Sequence, residues 1–386
     1  MSPPNDTRSA LIVGAGIGGL AAGVALRKAG WTVRIHERAT NARELGFGLA
    51  LAHNALAALR ELGVAEEVIA SGVPTTAVEI RRADGSLLRR FNAQVGGPTV
   101  IALRPALYGA LLKAIGPDTL RLSSDVRSFT VDSDSVTLTD HAGTTDRATL
   151  LIGADGVDSV VRRQLHPDEP VPIPSGYCAV RGVAFGVGGL VAPLAAVGYL
   201  DDGIEAATAR ASDDAIYWYF SLLARDLPAT PGSPREILEP FLSRFEPRLR
   251  DIVAATKEGD LRYDPLFRRD PLPHWGVGPV TLLGDAAHPV LPHTGQGAAQ
   301  ALEDAVALGL AIARADRIED ALRRYEAVRS HRTRTFISAG PRIARMTTTH
   351  RPLVRAIRTA ILKLTPERLL SVTAPSFRRD PHRDLR

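Results

Sequence analysis

Cysteine is almost absent from this chain, which has a single one, Cys178, among 386 residues. One cysteine excludes an intrachain disulfide and any cysteine-rich metal site, and we expect no metal centre. This composition is typical of a reducing compartment, so we expect a cytoplasmic protein. With 45% hydrophobic residues, the chain can bury a large core in one large domain or two.

Long apolar runs are also lacking. The N-terminal sequence MSPPNDTRSALIVGAG does not have the layout of a signal peptide, because glycines interrupt its apolar run at once. The uncharged segment Gly182–Leu200 is long enough to span a bilayer, but it contains five glycines and a proline. We therefore expect buried strands and a pocket-lining loop there, and no integral membrane span.

Lysine is scarce, since arginine supplies all but four of the 47 basic residues. The net charge of +5 is unevenly distributed, because residues 312–386 contain 18 Arg and Lys against 7 Asp and Glu. The preference for arginine over lysine reflects a GC-rich genome, and the alternative interpretation of these basic residues is an anionic partner for the C-terminal region. Aromatic side chains are sparse among these arginines, so we do not expect a nucleic-acid partner.

The first informative motif is a glycine-rich turn near the N-terminus. A short apolar strand at 10–13 leads into Gly14-Ala-Gly-Ile-Gly-Gly19, and an apolar-faced helix follows. A second strand, 32–36, then ends at Glu37. Strand, GxGxxG, helix, strand and acid in this order are typical of a dinucleotide-binding site.

Each residue type in this motif has a physical reason. Gly14 makes the tight turn, Gly16 lets the backbone approach a pyrophosphate, and Gly19 lets the helix pack closely on the strand. The N-terminus of the helix offers free N–H groups to a phosphate. Glu37 lies 23 positions after Gly14, where its carboxylate can accept hydrogen bonds from ribose hydroxyls.

The centre of the chain predicts a mixture of helices and strands. We expect a helix from about His53, a hairpin of strands 78–82 and 87–91, a helix 104–115 and a strand-rich region 120–152. A second glycine-rich turn, Gly153-Ala-Asp-Gly156, follows the last of these strands.

Residues 176–223 have the alternation of β-sheet. On the strand 216–223, Trp218 and Phe220 lie opposite Tyr217 and Tyr219, so both faces carry aromatic side chains. We expect one face to pack on the core and the other to line a ligand pocket.

A third motif follows the apolar strand 279–284. Asp285 stands at the tip of this strand, a proline-containing loop comes next, and Gly295-Gln296-Gly297 precedes a predicted helix, 298–313. The N-terminus of such a helix carries partial positive charge and free N–H groups.

With these three motifs the chain resembles the class A flavoprotein monooxygenases, the p-hydroxybenzoate and salicylate hydroxylase family, from about residue 10 to residue 335. The resemblance implies an α/β fold, in which a Rossmann-like (GR2-type) FAD-binding domain is interrupted by a β-sheet substrate domain and followed by C-terminal helices. It places the FAD-binding domain at 1–75, 100–175 and 270–386, and the substrate domain at 76–99 and 176–269. No second GxGxxG is present, so NADH or NADPH would bind only transiently.

The resemblance also implies a cofactor site. Asp285 would accept a hydrogen bond from a ribityl hydroxyl of FAD, and Arg104 would contact the cofactor near its phosphates and ribityl chain. The helix after Gly297 would direct positive potential at the flavin N1–C2=O locus. The expected FAD-binding residues are Gly14, Gly16, Gly18, Gly19, Glu37, Arg38, Arg104, Val126, Asp155, Asp285, Pro292, Gly295, Gln296 and Gly297.

Candidates for catalysis and substrate binding follow from the same comparison. His53 stands where relatives often have proline, near the flavin edge, and Arg181 could hold a phenolate or carboxylate, although a structural ion pair is its commoner role. His293 could act as an acid or base or could simply be solvated, whereas His288 fits the family pattern as a structural residue. The candidate catalytic residues are His53, Arg181 and Pro292, and the candidate pocket residues are Tyr177, Arg181, Tyr217, Tyr219 and His293.

The implied activity is NAD(P)H-driven monooxygenation. Reduced FAD would react with O2 to give a C4a-hydroperoxyflavin, which would oxygenate a hydrophobic aromatic or phenolic substrate. Relatives with the same motifs also epoxidise alkenes, perform Baeyer–Villiger insertion or reduce isoprenoid double bonds. A flavin-dependent protein that binds a substrate without turning it over is an alternative of another class.

The segment 351–370 is amphipathic and basic. Its apolar stripe contains Leu353, Val354, Ile357, Ile361 and Leu364. Such a stripe usually packs on its own domain or on a second copy. Peripheral contact with a membrane is the alternative.

Overall fold

The computed structural model describes residues 8–42, 47–92, 98–192, 195–230 and 232–366. These residues form a mixed α/β fold, which confirms the predicted fold class. The described part of the chain contains no helix that is both long enough and apolar enough to cross a membrane.

In chain order the strands are β1 (Ser9–Val13), β2 (Thr32–His36), β3 (Gly48–Leu51), β4 (Val73–Thr75), β5 (Ala77–Arg82), β6 (Leu87–Asn92), β7 (Thr99–Leu103), β8 (Leu120–Arg121), β9 (Val126–Val131), β10 (Val136–Asp140), β11 (Thr145–Ala148), β12 (Leu150–Gly153), β13 (Ile173–Phe185), β14 (Ala195–Leu200), β15 (Ile204–Arg210), β16 (Ala215–Leu223), β17 (Leu261–Arg268) and β18 (Val280–Leu282). The helices are α1 (Ile17–Lys28), α2 (His53–Leu62), α3 (Ala65–Ser71), α4 (Arg104–Ile115), α5 (Val160–Leu165), α6 (Pro234–Leu242), α7 (Pro247–Ala255), α8 (Gly297–Ala313), α9 (Ile318–Thr347) and α10 (Pro352–Leu364).

A parallel sheet with strand order β18-β12-β1-β2-β8 brings the three glycine-rich motifs together. Val13 pairs with Gly153, and Gly153 in turn pairs with Leu282, so β1, β12 and β18 end at the same level. Because parallel strands share their carboxyl edge, the turns that follow them meet at this edge. β1, β12 and β18 are buried along their whole length, which explains why they are almost entirely apolar.

The helices on this sheet pack closely because small residues face each other. A Cβ on Gly309 of α8 would lie 3.0 Å from the Cβ of Ala25 on α1. A Cβ on Gly23 of α1 would lie 3.1 Å from side-chain atoms of Ile115 and Ile35. Together α1, α4 and α8 contribute to one large hydrophobic core with the sheet.

A second sheet has seven strands in the order β17-β13-β16-β15-β14-β5-β6. One of its faces packs on α6 and α7, with Trp218 and Phe220 buried among their apolar side chains. Trp218 Nε1 donates a hydrogen bond to Thr256 Oγ1 at 2.8 Å. The uncharged segment 182–200 contributes to β13 and β14 of this sheet, apart from residues 193–194, which lie outside the described residues.

The chain segments that form this sheet can be compared with the predicted domain boundaries. Its strands come from three stretches of the chain, 77–92, 173–223 and 261–268. They lie within the segments predicted for the substrate domain, apart from the first residues of β13. The division itself stays a prediction.

The single cysteine lies within this sheet. Cys178 on β13 is completely buried, and its thiol lies 3.7 Å from the Leu222 carbonyl oxygen on the neighbouring strand. Burial raises the pKa of the Cys178 thiol to about 12. The residue is therefore a protonated core side chain at neutral pH.

A buried charge network joins α8 to α9. The Arg329 guanidinium contacts Glu303 Oε2 at 2.5 Å and Asp304 Oδ1 at 2.6 Å, and all three side chains are fully buried. Arg329 also donates to the backbone and side-chain oxygens of Gln300. Arg329 on α9 is thus the counter-ion of two acids, Glu303 and Asp304, on the largely apolar helix α8.

Replacing Arg329 with methionine should destabilise the protein strongly. The Arg329→Met variant would leave Glu303 and Asp304 buried without their main counter-ion, at a cost of about 3–5 kcal/mol. Urea denaturation followed by circular dichroism measures the free energy of unfolding.

The matched control is Arg317→Met. Arg317 lies 3.9 Å from Glu319 at the surface, with 73% of its side chain exposed. We expect this variant to lose less than about 1 kcal/mol. Equal losses in the two variants would show that the buried network does not hold the helices together.

Candidate functional site

The glycine-rich turn after β1 has the geometry of a phosphate site. Gly14 has a φ of +99°, and a Cβ there would lie 2.5 Å from the Ala154 carbonyl oxygen. A Cβ on Gly19 would lie 1.9 Å from the Gly14 carbonyl oxygen, and one on Gly18 would lie 2.8 Å from Leu283. A Cβ on Gly16 would instead meet nothing within 4 Å. The protein's own packing therefore requires three of these glycines, whereas Gly16 leaves space for a ligand.

The acid at the tip of β2 faces this turn. Glu37 accepts hydrogen bonds from the backbone N–H groups of Ala15 at 2.8 Å and Ala39 at 2.9 Å. These bonds hold the carboxylate beside the glycine turn, where a ribose would lie. The neighbouring Arg38 is exposed. Val126, at the start of β9, is buried in the core, and its predicted contact with the cofactor stays a prediction.

The turn after β18 places Asp285 at the same carboxyl edge of the parallel sheet. The Asp285 side chain is accessible to solvent. Protein atoms nevertheless surround the carboxyl group closely, and the resulting desolvation raises its pKa. The nearby charges of His288 and Arg104 partly oppose that effect. Arg104 begins α4, and its backbone N–H donates to the Phe47 carbonyl oxygen at 2.7 Å. A solvent-accessible carboxyl group close to an arginine fits the polar middle of a dinucleotide.

Asp304 fixes the shape of the turn that contains Asp285. Its Oδ2 accepts a hydrogen bond from the Gly284 N–H at 2.9 Å and contacts His288 Nε2. Burial alone would raise the pKa of Asp304, but His288 and Arg329 outweigh burial and lower it to about 2. The ionised carboxylate thus anchors both sides of the turn. His288 is buried in this contact, as its structural interpretation requires.

The helix α5, which follows the Gly153–Gly156 turn, holds the loop that contains Asp285. Arg162 on α5 donates from Nη1 to the carbonyl oxygens of Ala286 at 2.9 Å and Ala287 at 3.2 Å. Glu169 neutralises this fully buried guanidinium. Asp155 accepts a hydrogen bond from the Val160 N–H at 2.7 Å, so one of its oxygens stabilises the start of α5.

The second oxygen of Asp155 is different. Asp155 Oδ1 is buried and has no hydrogen-bond partner among the described residues. Burial raises the pKa of this carboxyl. One oxygen of Asp155 is therefore structural and the other is unpaired, and the predicted contact of Asp155 with the cofactor stays a prediction.

The loop before α8 turns sharply. Pro292 begins a 3₁₀ turn that extends to Thr294, and Gly295 follows with a φ of +64°. The α8 helix then begins at Gly297, without a side-chain cap on its first N–H groups. These groups are available to an acceptor, as the predicted contact with the flavin requires.

The Gln296 side chain forms hydrogen bonds within the protein. Its Oε1 accepts hydrogen bonds from Asn54 Nδ2 at 2.9 Å and from Gln300 Nε2 at 3.1 Å. Asn54 also donates to Glu303 at 2.6 Å. The buried side chain of Gln296 thus joins α2 to α8. The preceding residue on α2, His53, has a buried Nδ1 without a hydrogen-bond partner among the described residues.

The second face of the seven-stranded sheet presents polar side chains. Tyr219 Oη donates to Glu205 Oε1 at 2.7 Å, and Ser221 Oγ lies 2.8 Å from His293 Nε2. The Tyr177 ring packs edge-on against the His293 ring, with centroids 5.3 Å apart. The Tyr177 ring thus contacts His293, whereas Tyr219 contacts Glu205, and the predicted pocket stays a prediction. His293 therefore connects the loop before α8 to this sheet.

Arg181 on the same face is part of an ion pair. Its Nη2 lies 2.8 Å from Asp264 Oδ2 on β17, and its guanidinium lies 5.8 Å from the centroid of the Phe47 ring. Tyr217 packs directly on Gly48, where a Cβ would lie 2.4 Å from the ring, and burial raises the pKa of Tyr217 to about 12. Both tyrosines of this strand remain protonated at neutral pH, since burial also raises the pKa of Tyr219 well above its usual value.

Several polar atoms on this face are buried without a hydrogen-bond partner among the described residues. His293 Nδ1 and Glu205 Oε2 are among them, as is Arg181 Nε. Burial lowers the pKa of His293, which the charge of Glu205 opposes. The imidazole is therefore neutral at pH 7, with one ring nitrogen bonded to Ser221 and the other unused.

Sequence reasoning missed the residues that hold the site in place. Arg162, Asp304 and Arg329 are fully buried, and none of them was among the candidates. The available signal was the pair Glu303-Asp304 within an apolar helix, because buried acids need partners. Within the described residues, no cluster of His, Cys, Asp and Glu could hold a metal ion.

Comparison with known proteins agrees with this geometry. Residues 7–218 and 266–339 match the FAD binding domain family. The chain belongs to this family. It is a flavoprotein that binds FAD, and its homologues are class A flavin monooxygenases and hydroxylases. This confirms the resemblance seen in the sequence, and the enzyme is an oxidoreductase of that group.

Among its relatives, aurachin C monooxygenase/isomerase of Stigmatella aurantiaca is 33% identical over 87% of this chain and 88% of the relative. The 2-heptyl-3-hydroxy-4(1H)-quinolone synthase of Mycobacteroides abscessus is 33% identical over 82% of this chain and 84% of the relative. A variant of Klebsiella pneumoniae HpxO, crystallised with FAD, superposes with a TM-score of 0.88 at 25% identity, over 96% of this chain and 98% of that one.

Gly16→Ala should weaken FAD binding without disturbing the fold. The added methyl group meets no protein atom within 4 Å, so the free energy of unfolding of the FAD-free protein should change by less than about 0.5 kcal/mol. The methyl group occupies the space that a pyrophosphate needs, so the Kd for FAD should rise at least about tenfold. Fluorescence titration of the apoprotein with FAD measures this constant.

Gly109→Ala on α4 provides the control. Its Cβ also meets nothing within 4 Å, and Gly109 lies outside the glycine turn. FAD affinity should be unchanged in this variant. An unchanged affinity in Gly16→Ala as well would contradict the assignment of the phosphate site.

Proposed function

We propose that this enzyme uses FAD and NAD(P)H to add one oxygen atom of O2 to a neutral, electron-rich aromatic ring with an ionisable O–H or N–H group. The position of His293 carries the proposal, because this neutral imidazole lies between the loop before α8 and the polar face of the seven-stranded sheet. FAD, when bound, supplies the redox chemistry by accepting a hydride and activating O2.

The proposed FAD site runs along the carboxyl edge of the parallel sheet. Gly16 and the N-terminus of α1 would bind the pyrophosphate, and Glu37 would bind the ribose. Asp285 would hold the ribityl chain, and Arg104 would neutralise nearby phosphate charge. The free N–H groups at the start of α8 would stabilise negative charge on the flavin ring. The space at Gly16 and the accessible carboxyl of Asp285 support this placement.

His293 is placed to move a proton. If Nε2 donates to Ser221 Oγ, the lone pair of Nδ1 is left free to accept a proton. We assign Nδ1 to accept the O–H or N–H proton of the substrate. A deprotonated ring is richer in electrons and therefore attacks an electrophilic oxygen faster.

The charges on this face favour a neutral substrate. Arg181 is paired with Asp264, and Glu205 adds a carboxylate whose Oε2 has no partner among the described residues. Asp264 also pairs with Arg262 at 2.6 Å, so the group that would repel a carboxylate ring substituent is the carboxylate of Glu205. The relative from Mycobacteroides abscessus is named for a quinolone, a ring of the neutral type that this charge pattern favours.

An oxygen-labelling experiment tests the reaction. FAD-loaded protein is supplied with NADH or NADPH, labelled O2 and a panel of phenols and hydroxyquinolines, and the products are weighed by mass spectrometry. The proposal expects one labelled oxygen atom per product and one nicotinamide oxidised. An unlabelled, reduced product would identify a reductase. Binding of a ring without oxidation of NADH or NADPH would identify a binding protein.

The pH dependence tests the role of His293. Because burial lowers its pKa, kcat/KM should fall only as the pH drops below about 6.5, where the imidazole becomes protonated. The His293→Gln variant should lose this acidic limb and about 100-fold in kcat/KM. The exposed His331 on α9 provides the control, since His331→Gln should leave the profile unchanged. A retained acidic limb in His293→Gln would assign the proton transfer to another group.

Charge selectivity tests the role of Glu205. The enzyme should prefer a neutral phenol or hydroxyquinoline over the matching hydroxybenzoate by at least about tenfold in kcat/KM. The Glu205→Gln variant removes the negative charge and should narrow this ratio, while Tyr219 retains a hydrogen-bond acceptor. Steady-state assays with matched substrate pairs measure the ratio. A preference for the carboxylate in the wild-type enzyme would contradict the assignment.

A further inference from the structure

The amphipathicity of α10 is directed away from the protein. Its one buried side chain is Arg358, which is 6% exposed. Apart from the half-buried Val354, its apolar stripe faces solvent instead, with Leu353 72%, Ile357 48%, Ile361 46% and Leu364 78% exposed. We call these four residues the outer stripe. The expectation that this stripe packs on its own domain is therefore wrong for the described residues.

Polar contacts explain this orientation. Arg358 Nη1 donates to the carbonyl oxygens of Met346 at 3.1 Å and Thr347 at 2.8 Å, at the end of α9. Arg355 forms an ion pair with Asp202 at 3.0 Å. Arg89 on β6 donates to the Lys363 carbonyl oxygen at 2.9 Å. The helix is thus attached to the protein through its basic face, which directs the outer stripe outward.

A basic cavity of about 610 Å³ lies beside the same helix, between α10 and strands β5, β6 and β14. The charged residues that line it are Arg82, Arg355, Arg358, Lys363 and Asp201. The single acid, Asp201, forms an ion pair with Arg244. Arg355 is likewise paired with Asp202, but Arg82, Arg358 and Lys363 leave the cavity with a net positive charge, and it adjoins an exposed apolar surface.

The charge decides between the possible occupants. Two copies that met through α10 would bring two basic cavities together, which like-charge repulsion opposes. The excess of basic residues in 312–386, 18 against 7, has the same effect. An exposed aliphatic stripe beside basic groups instead matches a bilayer surface that carries anionic headgroups.

We propose that α10 docks this protein on the surface of a bilayer that contains anionic phospholipids. The outer stripe enters the boundary of the acyl chains, and the exposed basic residues that line the cavity, Arg82 and Lys363, meet the headgroup phosphates. This inference is independent of the proposed reaction, since it uses no residue of the FAD or substrate sites.

Vesicle sedimentation of the full-length, FAD-loaded protein tests the inference. The probes are vesicles of phosphatidylcholine alone and of phosphatidylcholine with phosphatidylglycerol. The protein should sediment with the anionic vesicles, and less of it should bind as salt is added. The Leu353→Ser/Ile361→Ser variant should bind at least about tenfold more weakly, and Lys363→Glu should also weaken binding.

The control is Val171→Ser. Val171 is 80% exposed and lies outside α10, so replacing it with serine should leave vesicle binding unchanged. FAD content and catalytic rate should be equal in all variants, which separates docking from folding. Failure of the wild-type protein to bind anionic vesicles would overturn the inference. A dimer of the wild type that dissociates in the double variant, without vesicle binding, would instead assign the outer stripe to a second copy.

Discussion

The buried guanidinium of Arg329 is the interaction on which the site depends. It holds Glu303 and Asp304 in their ionised forms, and each acid then positions another part of the protein. Asp304 fixes the turn that presents Asp285, and Glu303 binds Asn54 at the start of α2. A cluster of charges that is costly to desolvate thus becomes a rigid joint between three segments far apart in sequence.

Local signals explain what the sequence could predict. The strand before Gly14, the helix that begins at His53 and the helix 104–115 follow from glycine turns and apolar spacing, which act over a few residues. The convergence of three glycine turns on one edge follows from the rules for parallel sheets. The same rules predict that Glu37 and Asp285 lie close to the cofactor.

Long-range pairing explains what the sequence could not predict. Arg329 and Arg162 are two of 47 basic residues, and nothing in their neighbours distinguishes them from surface arginines. The direction of α10 was similarly hidden, because an apolar stripe has the same spacing whether it faces inward or outward. Only the contacts of Arg358 with the end of α9 decide it.

The protonation state of Cys178 affects the resistance of the enzyme to oxidation. An oxygenase whose reduced flavin reacts with O2 without a substrate releases hydrogen peroxide close to its own side chains. Peroxide attacks thiolates far faster than thiols, and the one cysteine of this chain is buried with a pKa raised to about 12. The buried, protonated thiol of Cys178 is therefore a poor target for this by-product, which disfavours inactivation through cysteine oxidation or through disulfide cross-linking between copies.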